Sequence, residues 1–272
     1  MSRVWFSGEL ETVATYWRLE RKDGVTLGFT THDSNLWFDG VLHSGTPGMV
    51  PSAVRRSASF EADSAEVRGA ITSAVITTDD LKTGRFDGAT VAIGLVDWET
   101  LERQPIYSGK IGSVSQTDLG FSAELLSRKN DLALDPVPRT SPTCRAVFCG
   151  LGCGLSSARF THEATVSAQD SVNNAVTLTS DATPAQMLGG TLRWLDGPYA
   201  GITMHVIGLL GSALVLDRAI DDTIPVGTCL LAIEGCDHTL ATCSSRFNNV
   251  LNFQGEPFVP GNDLIVRYGL SQ

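Results

Sequence analysis

The first half of the chain is built from short apolar or alternating segments separated by turn-forming residue pairs. The segment WRLERKDGVTLGFTTHD, residues 17–33, predicts two strands joined at Lys22-Asp23-Gly24, because Asp-Gly supplies the positive φ angles that a tight hairpin needs. The segment NLWFDGVLHSG repeats this pattern at Asp39-Gly40. Thr90–Trp98 alternates well enough to be a further strand. This half is therefore predicted to be mostly β-structure.

Two short helices are predicted within the same half. In TTDDLKTG, Thr78 is the expected N-cap, the two aspartates that follow suit the positive start of a helix, and Gly84 ends it. The second predicted helix spans Leu10–Tyr16.

The second half again alternates short strand-like segments with turns containing Gly, Pro and Asp. The predicted strands are Ala175–Thr179, Thr191–Leu195, Thr203–Ile207, Ala213–Leu216 and Thr228–Ile233. Several short strands at this spacing predict a small antiparallel barrel or sandwich.

A proline-rich segment, LDPVPRTSPT, separates the two halves. Proline fixes φ and removes a backbone donor, so this segment belongs neither to a helix interior nor to a central strand. We therefore predict an N-terminal β-rich domain at residues 1–134, a linker at 135–143, and a C-terminal β-rich domain at 144–272. The predicted fold class is mainly β, with two barrel- or sandwich-like domains and a few short helices.

Composition restricts the classes of function. The 272 residues carry a net charge of −10, and no lysine follows Lys129. Duplex DNA binding requires clustered basic residues, so sequence-specific nucleic-acid binding is not expected. The longest apolar runs are too short to span a bilayer, and the first residues do not resemble a secretion signal. We expect no transmembrane segment and synthesis in a bacterial cytoplasm.

All six cysteines lie after the proline-rich segment: Cys144, Cys149, Cys153, Cys229, Cys236 and Cys243. Cys229 lies in the apolar run TCLLAI and is predicted to be a buried strand residue. Cys144, Cys153, Cys236 and Cys243 stand among polar and turn-type residues. Burial as small apolar side chains therefore explains their positions poorly. Disulfides are disfavoured because reduced thiols are expected in a cytosol.

Two metal-binding interpretations remain open from spacing alone. Zinc sites commonly contain C-x2-C pairs, which are absent here, although His238 or His162 could complete a mixed site. Four thiolates also suit an iron–sulfur cluster, whose ligands can be widely spread along the chain. A four-iron cluster with four thiolates is anionic, and Arg145 and Arg246 stand close in sequence to candidate ligands.

Catalysis has little support in the sequence. G-x-S-x-G, H-E-x-x-H and P-loop signatures are absent, and no obvious base accompanies a candidate nucleophile. No catalytic residue is predicted, and the chain is expected not to be an enzyme. A zinc-dependent hydrolase that uses the same cysteines is the alternative.

Several runs of the sequence resemble the baseplate hub family of phage tails and gene transfer agents, in the same order and spacing along nearly the whole chain. The runs are GFTTHDSNLWFDG, DDLKTGRFDGATV, VDW and FSAEL in the first half, and GCDHTLATCSSRFNNVLNFQGEPFVPG near the C-terminus.

This resemblance implies a structural hub subunit at the tail tip of a virion or gene transfer agent particle, serving DNA delivery. Hub proteins of this kind resemble homotrimers that join the ring of distal tail protein to the central fibre or tail-associated protein. The tail peptidase and the tape measure protein are further candidate partners.

The resemblance also implies an iron–sulfur cluster, [4Fe-4S] in type, with zinc as the alternative metal. Carried over to this sequence, the family's ligand positions are Cys144, Cys153, Cys236 and Cys243, with Cys149 as a possible substitute ligand. The nearby aromatic residues, Phe247, Phe253 and Phe258, are then expected to cover the site. The cluster is expected to cross-link the start of the second domain to its end through metal–ligand bonds.

Overall fold

The computed structural model describes residues 11–45, 50–51, 64–70, 76–116, 120–129 and 137–259. The chain divides into two compact units, 1–136 and 137–272. The second unit thus begins inside the proline-rich segment. No helix in the described residues is long and apolar enough to cross a membrane.

In its described residues, the first unit contains nine strands and one short α-helix, α1 (Thr78–Lys82). The strands are β1 (Val13–Glu20), β2 (Thr26–Thr30), β3 (Leu36–Phe38), β4 (Val41–Ser44), β5 (Val50–Pro51), β6 (Ser64–Ala70), β7 (Thr90–Asp97), β8 (Arg103–Gln116) and β9 (Gly120–Ser127). They form one sheet in the order β3-β4-β2-β1-β7-β8-β9-β6-β5. The two hairpins and the strand predicted from the sequence, β1–β2, β3–β4 and β7, are confirmed.

The helix predicted at Leu10–Tyr16 is wrong, because Val13–Glu20 is a strand of the sheet. This strand buries side chains on both of its faces. Trp17 packs in the larger core cluster and Tyr16 in a second, smaller one. A strand buried on both faces lacks the alternation of polar and apolar residues by which strands are recognised.

Helix α1 lies where the sequence predicted it, with one difference at its start. Thr77, rather than Thr78, is the N-cap, and its side chain accepts a hydrogen bond from the backbone N–H of Asp80. The helix ends near Gly84, which has a φ of +70°. A left-handed glycine is the usual end of a short helix.

Within residues 137–259, the second unit is a six-stranded closed barrel with two short α-helices, α2 (Pro184–Met187) and α3 (Leu240–Ser245). Its strands are β10 (Thr161–Asp170), β11 (Ala175–Ser180), β12 (Thr191–Trp194), β13 (Thr203–Leu210), β14 (Ala213–Leu216) and β15 (Cys229–Ile233). They close in the order β10-β11-β14-β13-β12-β15. The five predicted strands are confirmed to within a few residues, and β10 is the one that the sequence interpretation missed. The predicted fold class, mainly β with few short helices, is confirmed.

The barrel brings two distant parts of the chain to the same end. β10 starts at Thr161 and β15 ends at Ile233, and these two residues are paired in the antiparallel ladder. The segment before β10 and the segment after β15 therefore leave the barrel side by side. We call this the cysteine end, since five of the six cysteines lie in these two segments.

Candidate metal centre

The two segments at the cysteine end are joined by backbone hydrogen bonds. Cys144 donates its N–H to the carbonyl of His238 (2.8 Å), and Arg145 donates to Gln254 (3.0 Å). The N–H of Glu256 donates to the carbonyl of Ser141 (2.7 Å). Residues separated by about a hundred positions thus form one substructure.

The loop that carries Cys153 turns tightly through glycine-rich sequence. The N–H of Gly150 donates to Val147 (2.9 Å), and the N–H of Cys153 donates back to Gly150 (3.0 Å). Gly154 then has a φ of +71°, a conformation that favours glycine. These turns direct Cys153 toward the second segment.

Helix α3 places Cys243 in the interior. Thr239 caps the helix by accepting a hydrogen bond from the N–H of Thr242 (3.2 Å). Asp237 also accepts bonds from Thr239 and from the Thr242 hydroxyl, which orders the approach to the helix. Cys243 follows on the inner face of α3 and is buried.

The four cysteines predicted as ligands line one enclosed pocket: Cys144, Cys153, Cys236 and Cys243. Its free volume is about 20 Å³, hardly more than one water molecule needs. Any larger guest therefore requires the surrounding loops to move apart.

Three of these four sulfur atoms accept hydrogen bonds from N–H groups. The backbone of Gln254 donates to Cys144 Sγ (3.3 Å), and the backbone of His238 donates to Cys236 Sγ (3.4 Å). The side-chain amide of Asn249 donates to Cys153 Sγ (3.6 Å) and to the carbonyl of the same residue (2.7 Å). N–H donors aimed at sulfur stabilise thiolates more than thiols, as expected of ligands to a metal centre.

The thiols also influence one another electrostatically. Burial raises the pKa of Cys243, and the neighbouring sulfurs of Cys144, Cys236 and Cys153 raise it further. The pKa of Cys236 is raised chiefly by burial, against the opposing effect of the His238 N–H, and Cys153 and Cys144 add to the rise. Several thiolates in one pocket repel one another, and a bound cationic group removes that repulsion.

The two remaining cysteines are placed differently. Cys149 is not among the residues that line the pocket, yet burial and the neighbouring Cys153, Cys236 and Glu234 raise its pKa to about 11. Cys149 therefore lies near Cys153 and Cys236 without lining the pocket. Cys229 is exposed, so the prediction that it is a buried strand residue is wrong. As the first residue of β15 it faces outward, whereas the next residue, Leu230, is fully buried.

Aromatic residues cover part of the pocket. Phe247 is buried, lines the pocket, and contacts Phe148 (ring centroids 4.9 Å apart) and Phe160 (5.3 Å). Phe253 is half-buried. Phe258 is 88% exposed, so the expectation that it covers the site is wrong. The turn at residues 257–258 carries this side chain out to solvent.

His238 lines the pocket as well, and its Nδ1 is buried without a hydrogen-bond partner in the described part of the chain. His162, the other histidine considered as a ligand, lies away from the pocket lining and hydrogen-bonds Glu234 (2.8 Å). A buried polar atom without a protein partner suits a pocket that receives a polar guest.

Arg145 and Arg246, the two arginines that stand close in sequence to candidate ligands, have different partners. Arg145 pairs with Glu256 (2.7 Å), which is the main cause of its raised pKa, with a smaller contribution from Cys144. Arg246 pairs with the buried carboxylate of Glu234 and stacks on Phe247, with its guanidinium 4.8 Å from the ring centre. Nothing in the sequence indicated a role for Glu234, except that it directly precedes Gly235 and Cys236.

The potential metal ligands that line the pocket are chiefly thiols. Among the described residues, no three His, Cys, Asp or Glu side chains converge closely enough to share one metal ion. The pocket nevertheless offers four thiols, the ligand type that iron–sulfur clusters use. A cluster holds its cysteines further apart than a single ion does.

Comparisons with known proteins identify the family of the chain. Residues 3–156 match the family described as baseplate hub protein, N-terminal attachment domain, and residues 185–263 match a family of conserved hypothetical phage proteins. The first match covers more than half of the chain, so the chain belongs to the baseplate hub protein family. The resemblance noted in the sequence is confirmed.

The chain is also similar to a solved structure. A chain from the virion of a native gene transfer agent particle is similar with a TM-score of 0.83 and 31% identity, over 99% of this chain and 96% of that chain. No protein with a curated description matches the sequence.

Proposed function

We propose that this chain is a structural hub subunit at the tail tip of a phage-like particle, where it serves DNA delivery. It joins the ring of distal tail protein to the central fibre or tail-associated protein, and it does so as a homotrimer. The similarity to a gene transfer agent virion chain over 99% of the sequence carries this proposal. Large subunit interfaces, rather than catalysis, are what such a role demands.

The location and symmetry are tested in particles that carry a tagged copy of the chain. We expect antibody label at the tail tip and density for three copies in averaged electron micrographs. Deletion of the gene is expected to yield particles without a complete baseplate. Label along the tail tube or on the head contradicts the hub assignment.

We further propose that Cys144, Cys153, Cys236 and Cys243 hold a [4Fe-4S] cluster with a structural role. The shared pocket and the N–H donors to three of the four sulfurs support it. The cluster supplies covalent cross-links between the segment that precedes β10 and the segment that follows β15. Metal–ligand bonds formed only in the folded state add directly to the free energy of unfolding.

The chain's own residues prepare this site. The backbone of Gln254 and the side chain of Asn249 orient two of the sulfurs, and Phe247 limits access of water from the barrel side. The glycine-rich loop at 150–154 packs closely against the second segment, since a Cβ at Gly152 would lie 2.7 Å from Nε2 of Gln254.

Anaerobic purification tests the cofactor. We expect brown protein with about four iron and four acid-labile sulfide atoms per chain. Colourless protein with one zinc per chain contradicts the cluster. Serine at any of the four cysteines is expected to remove the iron, whereas Cys229→Ser, which changes an exposed thiol on the barrel, is the matched control and keeps it.

Cys149 needs its own variant because it lies near the proposed ligands without lining the pocket. Cys149→Ser is expected to retain the full iron content, since this thiol does not line the pocket. Loss of iron in Cys149→Ser together with retention in Cys153→Ser makes Cys149 the ligand in place of Cys153. No observation favours the zinc hydrolase alternative.

A further inference from the structure

His238 lies between Cys236 and helix α3 and has a left-handed backbone conformation, with a φ of +59°. Few residues other than glycine adopt this conformation, and those that do persist where the surrounding structure requires them. The side chain of Asp237 accepts hydrogen bonds from the N–H of Thr239 (2.9 Å) and from the hydroxyl of Thr242 (2.7 Å), which orders the turn that follows. The backbone at His238 is therefore held in place by its neighbours.

The backbone of His238 also contacts two of the proposed ligands. Its N–H donates a hydrogen bond to Cys236 Sγ (3.4 Å), and its carbonyl accepts one from the N–H of Cys144 (2.8 Å). These two cysteines belong to the two different segments of the cysteine end. His238 is thus fixed relative to both segments that supply ligands.

The side chain of His238 lines the cysteine pocket, and its Nδ1 atom is buried without a hydrogen-bond partner in the residues that the structure describes. The other polar side chains of the lining that are not thiols, Thr239, Asn249 and Asn252, each donate a hydrogen bond within the chain. A buried polar atom that stays unpaired destabilises the folded chain. We therefore expect Nδ1 of His238 to have a partner that the chain itself does not supply.

The chemistry of the pocket decides what kind of partner this is. A neutral imidazole carries one proton, on either ring nitrogen, and the neighbouring group determines which nitrogen holds it. The sulfur atoms of an iron–sulfur cluster are anionic and accept hydrogen bonds. A cluster held by the four cysteines of the pocket therefore brings acceptors to the side of the pocket that His238 lines.

We propose that Nδ1 of His238 carries the ring proton and donates a hydrogen bond to a sulfur atom of the bound cluster, so that His238 is a positioning residue of the site. This inference rests on the proposed function, because the cluster supplies the acceptor. Reduction adds negative charge to a cluster, so a hydrogen bond to its sulfur stabilises the reduced form more than the oxidised form. His238 thereby raises the reduction potential of the cluster.

A pair of substitutions tests the donor. His238→Asn keeps a side-chain N–H close to the position of Nδ1, and asparagine tolerates the left-handed conformation. His238→Leu has a similar size without a donor, and Leu101 shows that leucine adopts a φ of +59° in this chain. His205→Leu is the control, because this histidine is exposed and does not line the pocket.

Anaerobic redox titration of the purified chain provides the measurement. We expect His238→Leu to raise the ratio of oxidised to reduced cluster about tenfold at a fixed potential, which equals a fall of about 59 mV in a one-electron reduction potential. His238→Asn is expected to restore most of this loss, and His205→Leu to match the wild type. Equal potentials for His238→Leu and the wild type overturn the proposal.

Pulsed electron paramagnetic resonance gives a second readout that needs no substitution. In wild-type chain labelled with ¹⁵N-histidine, we expect a weak ¹⁵N coupling to the reduced cluster. His238 is the one histidine of the five in the sequence that lines the pocket, so the coupling belongs to its ring. No coupling overturns the hydrogen bond, and the strong coupling of a direct iron–nitrogen bond overturns it as well.

The failure of this inference is distinguishable from the failure of the proposed cluster. Wild-type chain that contains iron and acid-labile sulfide, combined with an unchanged potential in His238→Leu, overturns the role of His238 alone. Wild-type chain without iron and sulfide overturns the cluster and this inference together.

Discussion

Arg246 forms an ion pair with the buried carboxylate of Glu234, and this pair fastens helix α3 to the end of strand β15. Cys243 lies on that helix and Cys236 follows that strand, so one ion pair fixes the relative position of two of the four predicted ligands. The guanidinium also binds the carbonyl of Gly235.

Removal of Arg246 is expected to be destabilising. Arg246→Gln leaves Glu234, whose side chain is only 7% exposed, with His162 as its remaining partner, and we expect the unfolding free energy to fall by about 1–3 kcal/mol. Denaturant unfolding measures the change. Arg193→Gln alters an exposed arginine on β12 and is expected to stay within about 0.5 kcal/mol of the wild type. Equal effects of the two variants contradict the special role of the pair.

Gly235 has no room for a side chain. A Cβ at this position would lie 1.8 Å from the carbonyl oxygen of Leu188 and 2.5 Å from the backbone nitrogen of Gly190. Gly235→Ala is therefore expected to displace the neighbouring Cys236 and to lower both the melting temperature and the iron content. Gly208→Ala is the control, because its Cβ meets Val215 at an ordinary 3.7 Å. Full iron content in Gly235→Ala is the contrary result.

His43 makes the first unit sensitive to acid. The ring is fully buried and stacked on Phe38 (3.8 Å between centroids), and burial, reinforced by Arg18, lowers its pKa to about 4. The unfolded chain binds a proton near pH 6.5 but the folded chain does not, so stability is full above pH 6.5 and is lost as the pH falls toward 4.

A variant without the titrating group isolates this effect. His43→Phe keeps an aromatic ring against Phe38 and is expected to show a smaller loss of melting temperature between pH 7 and pH 5 than the wild type. Calorimetry of the whole chain at both pH values measures it. The same pH dependence in both proteins excludes His43 as its source.

Removal of the proposed cluster is expected to affect one unit only. The cysteine pocket lies entirely within residues 137–272, so extraction of iron by a chelator under anaerobic conditions should lower the melting transition of the second unit. The transition of the first unit is expected to stay in place. Hydrogen exchange of β1 reports on the first unit, and hydrogen exchange of β15 reports on the second.

The parts of the fold that the sequence predicted are those with strong local signals. Asp39-Gly40 marked the β3–β4 hairpin, and Asp39 indeed has a φ of +51°. β1 was mistaken for a helix in part because both of its faces are buried. β10 carries a register shift between Val166 and Ala168, and such a bulge interrupts the alternation of inward and outward side chains that identifies a strand.

The site was only partly predictable for a different reason. The clustering of cysteines after the proline-rich segment and the family resemblance singled out four residues, and the fold brings those four to one pocket. The contacts that orient them, such as Asn249 with Cys153, join residues 96 positions apart. Such pairs depend on how the barrel closes, which local sequence patterns do not encode.

Along the chain, the barrel strands lie between the two cysteine-bearing segments. This fixes the order in which the four cysteines of the pocket are synthesised. Cys144 and Cys153 are synthesised first, and Cys236 and Cys243 follow only after all six strands of the barrel. A chain broken anywhere before Cys243 has no complete site. Under the proposed cluster assignment, only a chain that has closed the barrel and contains Cys243 presents all four thiols.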